Sequence, residues 1–127
     1  MAKYNNIQYR SFKFAITQSG QQVAQVFVVD DDVVAITGIA LSSDRENLLW
    51  YRGTQEVRVS GDEIFPRDYE SKRLQYGVDS TERYFDLGEA PVPNRRVEVN
   101  YVDWDSPAAT FAPYTVTVNL RLKQRKD

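Results

Sequence analysis

From Tyr114 to Leu122 the chain reads Tyr-Thr-Val-Thr-Val-Asn-Leu-Arg-Leu, apolar and polar in strict alternation. A period of two places Tyr114, Val116, Val118, Leu120 and Leu122 on one face, and Thr115, Thr117, Asn119, Arg121 and Lys123 on the other. A helix would scatter these residues around its circumference. The segment is therefore a strand with one buried and one wet face. The same rhythm recurs upstream, where Phe12, Phe14 and Ile16 alternate with Lys13, Ala15 and Thr17, and Val97, Val99 and Tyr101 alternate with Glu98 and Asn100.

Between these segments, turn residues set the punctuation. Gln18-Ser-Gly-Gln21 is a turn with Gly at a position that can take positive φ. Val23 to Val29 is more continuously apolar, broken only by Gln25, as in a strand covered on both faces. Asp30-Asp-Asp32 interrupts it and Val33 to Leu41 resumes, which reads as a hairpin. Within the second run, Val34 and Ile36 are one step out of phase with Ile39 and Leu41, and Gly38 at the slip predicts a bulge. Asn47 to Arg52 reads as a strand ending at Gly53. Glu56 to Val59 leads into a tight turn at Ser60-Gly61-Asp62, and Pro66 closes a short apolar piece. Residues 67–82 hold either one helical turn or a long loop, and Asp103 to Pro113 reads as a loop before the final strand.

About eight short strands at roughly ten-residue spacing, with turns between, predict an all-β antiparallel two-sheet sandwich. An eight-stranded jelly roll or an immunoglobulin-like sandwich fits the length. The 127 residues form a single domain, 1–127, with no repeat or linker to mark a second; a short basic tail closes it at 121–127. A chain of this size buries roughly two-thirds of its unfolded surface, so it needs no staple.

Two absences narrow the chemistry. There is no Cys, hence no disulfide, thiolate metal site or Cys nucleophile. There is no His either, which removes the Ser-His-Asp relay, His-ligated zinc and an imidazole switch. No phosphate-binding glycine loop, nucleophile elbow or metalloprotease helix is present. The reading is a non-enzyme without catalytic residues, metal or cofactor. Residues 121–127 carry four cations against one acid, a net of +3, so the formal charge of −2 leaves −5 on the preceding body. Nucleic-acid contact is therefore expected only through the tail, if anywhere. The start MAKYNNIQYRSFKF lacks the apolar core of a signal peptide, and no apolar run approaches membrane length, so the expectation is cytoplasmic synthesis without membrane insertion.

Four features could carry recognition. Asp30, Asp31 and Asp32 could help ligate Ca²⁺, though no Gly-containing calcium loop accompanies them and a solvated turn explains them as well. Asp103-Trp104-Asp105 could present an indole for sugar stacking, with the acids accepting hydroxyls. Trp50 and Tyr51 offer another aromatic pair, of which a strand would present one member per face. The alternative is that one Trp plugs the core and the other covers its rim. In the final strand, Thr115 and Thr117 leave the start of the outer face neutral, while Arg121 and Lys123 charge only its end. That portion is expected in an intersubunit contact or under a loop.

The stretch Gly53 to Pro66, followed by Arg67-Asp-Tyr-Glu-Ser-Lys-Arg-Leu74, ends a strand in a Gly-Asp turn and passes through an apolar hook and Pro into a polar excursion. Together with the Tyr114–Leu122 strand, this rhythm resembles small jelly-roll proteins of non-enveloped virus and phage particles, of the penton or minor capsid type. The resemblance implies a structural protein that self-associates or contacts neighbouring coat subunits within a virion, and it transfers no functional residue. The expected function is thus a non-catalytic assembly protein. The alternative is a carbohydrate-binding module built on Trp104 and its flanking acids.

Overall fold

The computed structural model describes residues 7–75 and 84–125. In chain order these form β1 (Ile7–Ile16), β2 (Gln22–Val28), β3 (Val33–Ser43), a short helix α1 (Glu46–Arg52), β4 (Gly53–Val59), β5 (Asp62–Phe65), a 3-10 turn (Ser71–Leu74), β6 (Phe85–Pro91), β7 (Arg96–Asp103) and β8 (Tyr114–Gln124). The strands make two antiparallel sheets of four, ordered β1-β8-β3-β6 and β2-β7-β4-β5. The expected two-sheet sandwich is what the chain forms.

The order has a simple logic. First pairs with last, second with seventh, third with sixth, and fourth with fifth. The chain is a long two-stranded ribbon, closed at the β4–β5 hairpin and wound so that successive pairs fall in alternate sheets. An immunoglobulin-like sandwich keeps its first two strands together in one sheet; here β1 and β2 lie in opposite sheets, so that alternative does not describe the topology. The hairpin loop is Ser60-Gly61, both at positive φ (50° and 87°), the mirror-image turn that matches strand twist.

β8 behaves as its alternation dictates: Tyr114, Val116, Val118, Leu120 and Leu122 are all buried. Rings bridge the two sheets. Phe12 stacks on Phe27 at 4.4 Å between centroids, Phe14 meets Tyr101 edge-on at 5.4 Å, and Phe65 meets Phe85 edge-on at 5.1 Å. The bulge expected at Gly38 is present, since the register of β3 slips between Ile36 and Gly38 against both neighbours. A Cβ there would lie 2.8 Å from the Tyr84 Cβ and 3.1 Å from the Arg121 guanidinium carbon, so the position also serves a close approach.

Four local expectations are corrected. Asn47–Arg52 is helical, not extended. Leu48, Leu49 and Arg52 turn inward, while Trp50 and Tyr51 both face out. Side chains brace the entry to the turn, whose N-cap is Arg45: Glu46 accepts from the Ser43 N–H at 2.6 Å, and Ser43 Oγ accepts from the Arg45 N–H at 3.0 Å. Second, β2 and β3 are not a hairpin, because the Asp30–Asp32 turn carries the chain from one sheet to the other. Third, β2 is not covered on both faces; it is an edge strand flanked by β7 alone. Fourth, β8 is no edge, lying between β1 and β3. Of the undecided stretch 67–82, the described part contains the 3-10 turn, and residues 76–82 lie outside the described residues.

Candidate functional site

Alternation along β7 decides the fate of the Asp-Trp-Asp motif. Val97, Val99 and Tyr101 point inward, and Asp103 continues in phase, so its carboxylate enters the interior at 1% exposure. There it meets the equally buried Arg52 in a two-pronged pair, Nε to Oδ1 at 3.0 Å and Nη2 to Oδ2 at 2.9 Å. The Tyr114 hydroxyl donates to Oδ1 at 2.6 Å and the Gly20 N–H to Oδ2 at 3.0 Å. Arg52 spends its other N–H groups on Ala109 O and Ser19 Oγ, and its guanidinium lies over the Phe111 ring. Tyr101 and Tyr114 hydroxyls share a 2.7 Å bond. Burial pushes the Asp103 carboxyl upward, but the bonds from Arg52, Tyr114 and Gly20 outweigh it and hold it below the usual carboxylate range. Burial raises Tyr101 and Tyr114 well above an ordinary phenol. Asp103 is therefore a structural anion and no sugar acceptor. Asp105 is nearly fully exposed and lies 3.6 Å from Arg52.

Trp104, one step out of phase, faces outward and is 49% exposed. The backbone N–H donates to Arg52 O at 2.8 Å, which anchors the main chain, and the ring is held by Nε1, which donates to Thr54 Oγ1 at 2.7 Å. It stands at the end of a groove of about 580 Å³ on the outer face of the β2-β7-β4 sheet. Strand register sets the floor in two rows, Gln22–Val102 and Ala24–Asn100–Glu56. Arg67, from the segment after β5, also lines it. Asn100 Nδ2 donates to Glu56 Oε1 at 2.9 Å and Arg58 Nη2 to Oε2 at 3.1 Å. These bonds, that from Asn100 foremost, hold the Glu56 carboxyl below its ordinary range.

The open side of β2 is the second notable surface. Asp103 N donates to Gln21 O and Val29 N to Arg95 O, both at 2.9 Å, so odd-numbered residues bond β7. The N–H and C=O groups of Gln22, Ala24, Val26 and Val28 consequently point to the open edge. Val26 and Val28 are 44% and 55% exposed. The other three edges carry blocking features: Arg10 and Lys13 on β1, Asp62 and Glu63 on β5, and Asp86, Glu89 and Pro91 on β6. β2 has no charge, no Pro and no Gly.

The remaining expected residues fall elsewhere. Thr115 and Thr117 are half-buried on the outer face of β8; the Thr115 N–H is taken by Asp44 at 2.8 Å, and Arg45 reaches Pro113 O at 3.0 Å. Arg121 bonds the Thr37 hydroxyl and carbonyl, each at 3.0 Å, and Lys123 pairs with Glu89 at 3.0 Å. Arg125 donates to Asp31 O at 2.9 Å. The described part of the basic tail is thus engaged within the chain, and residues 126–127 lie outside the described residues. Asp30 pairs with Arg10 at 2.6 Å, and Asp32 accepts from Gln124 at 2.9 Å. Among the described residues no group of acids is placed to hold a metal ion, and no helix is long and apolar enough to cross a membrane. Neither Trp plugs the core.

Sequence reasoning missed Gln22, Glu56, Arg67 and Asn100 as groove residues. A usable signal existed in the alternation of β7, which runs unbroken through Asn100, Val102 and Trp104 on one face and Asp103 on the other. Treating 103–113 wholly as a loop discarded that phase. Comparison with family models, curated proteins and solved structures finds no match to this chain.

Proposed function

We propose that the chain is a non-catalytic assembly protein, a jelly-roll subunit of the kind that builds or fills the coat of a non-enveloped virus or phage, and that it self-associates along β2. The undefended β2 edge carries this reading. Sheet proteins protect free edges with charges, Pro or bulges, and among the described residues this chain does so on three edges out of four. An edge left bare over seven residues is suited to pairing with another strand. Supporting the jelly-roll description, the ribbon of paired strands wound into two four-stranded sheets is the arrangement two interlocked Greek keys produce.

The partner is a second copy. β2 is neutral, so antiparallel pairing about a two-fold axis at Gln25 brings no like charges together. It sets Ala24 against Val26 and Gln22 against Val28, outward-facing residue against outward-facing residue, as an antiparallel ladder requires. Thr115 and Thr117, on the flat outer face of the other sheet, remain available to a neighbouring subunit.

Sedimentation velocity at micromolar concentration tests the reading. A dimer or larger assembly is expected for the native chain, and a monomer with unchanged circular dichroism for Val26→Lys. A native chain that stays monomeric, or a Val26→Lys variant that keeps the native mass, overturns it.

A further inference from the structure

The outer face of the β2-β7-β4 sheet holds a ligand site that self-association does not require. We propose that the Trp104 groove binds a saccharide, with the indole as stacking platform and Asn100, Glu56 and Gln22 as its hydroxyl-bonding groups. Three observations converge. The groove, at about 580 Å³, has the size that suits a small ligand of one or a few rings. Its end wall is an exposed indole already oriented by the hydrogen bond from its Nε1 to Thr54, so less freedom is lost on stacking. Its floor mixes apolar Ala24 and Val102 with polar Gln22, Asn100 and Glu56, at strand and register spacing. That alternation of C–H surface with donors and acceptors is what a pyranose ring presents in return.

The polar groups are pre-organised in a particular sense. Glu56 is an ionised acceptor whose two oxygens each already take one hydrogen bond, from Asn100 and Arg58. Each carboxylate oxygen keeps a further lone pair. The bond to Glu56 fixes the Asn100 amide, leaving its carbonyl oxygen to accept a ligand hydroxyl. Gln22 contributes an exposed amide from the neighbouring strand β2. A vicinal diol meets such a set of acceptors and donors better than an apolar ring or a phosphate would, since a phosphate faces the Glu56 carboxylate. Arg67 lies at the exposed rim, where it can contact a hydroxyl without pairing first. The acids beside Trp104 in sequence take no part: Asp103 is consumed in the interior, and Asp105 does not line the groove.

The test is a titration of the full-length protein with neutral and uronate-containing oligosaccharides and with inorganic phosphate. It is followed by amide chemical shifts and by fluorescence in a Trp50→Phe background, so that the signal comes from Trp104. Expected are saturable shifts confined to 22–24, 54–56 and 100–104 for at least one neutral saccharide. Trp104→Ala should weaken the affinity about tenfold or more, as for a truncated aromatic anchor, and Asn100→Ala should weaken it with the sheet intact. No saturable shifts across the panel, response to phosphate alone, or affinity unchanged in both variants overturns the proposal. Asn100→Ala keeps the test decisive even if Trp104→Ala is poorly folded.

Discussion

The hydroxyl of Tyr101 lies 2.5 Å from the point that a Cβ on Gly53 would occupy, and Ser71 Oγ lies 2.6 Å from it. Gly53 has an ordinary extended φ of −95°, so its glycine character comes from this crowding rather than from backbone conformation. Gly53→Ala must push apart Tyr101, which bonds Tyr114, and Ser71, which bonds Gln55. The expected loss is about 1–3 kcal/mol, the range for forcing extra volume into a packed interior. Urea denaturation measures it, and a loss within error would refute the crowding argument.

Breaking the buried ion pair should cost more. Asp103→Ala removes the buried partner of the Arg52 guanidinium, leaving only the exposed Asp105 at 3.6 Å, and is expected to destabilise by about 3–5 kcal/mol. Replacing both residues with apolar ones, Arg52→Met with Asp103→Leu, should recover a large part of that, because the desolvation of two charges disappears with them. A double variant no more stable than the single one would show that the geometry, not the charge, is what matters.

Stability should fall at both ends of the pH scale. Asp103 has its carboxyl lowered in the folded state. Its contribution is therefore complete above the unfolded value of about 4 and is lost as pH drops through the depressed folded one. Tyr101 and Tyr114 are raised, so they bind protons in the fold that the unfolded chain releases above about pH 10. Their contribution is complete below that pH and is lost above it, by up to about 1.4 kcal/mol per pH unit for each ring. Chemical denaturation at pH 9, 10 and 11 should show this slope, and Tyr114→Phe should reduce it.

Val26→Lys should leave monomer stability within about 0.5 kcal/mol, as is usual for a substitution on an exposed surface. Val116→Ala on β8, at a fully buried site, should instead cost roughly 1–3 kcal/mol by removing apolar burial and leaving a void. Thermal melts of the two variants side by side separate an edge device from a core one.

Much of the fold was legible because strand alternation is a local signal: Tyr114–Leu122 and Val97–Tyr101 name their buried faces without reference to any partner. The β2–β3 error arose because a turn of three aspartates looks the same whether it joins two strands of one sheet or steps between sheets. Val26 and Val28 read as interior because hydropathy cannot tell a covered valine from one on an open edge. The α1 segment was misread because its bulky residues suit a strand, although Ser43 and Glu46 brace its entry. The groove depended on register: Glu56 reaches Asn100 only because β4 and β7 align them, and no spacing along the chain records that.

The winding of the ribbon has a consequence for how the molecule comes into being. Ser11 and its hydrogen-bond partner Asn119 are 108 residues apart in sequence, and β8 is the strand that joins β1 to β3. As the chain leaves the ribosome, the strands of that sheet must wait, apolar faces uncovered, for the last strand to arrive. Folding of the β1-β8-β3 sheet therefore has to follow the synthesis of β8, and it is slowed by long loop closure. A ribosome stalled before Tyr114 should hold a chain that proteases still cut in the β1 and β3 segments.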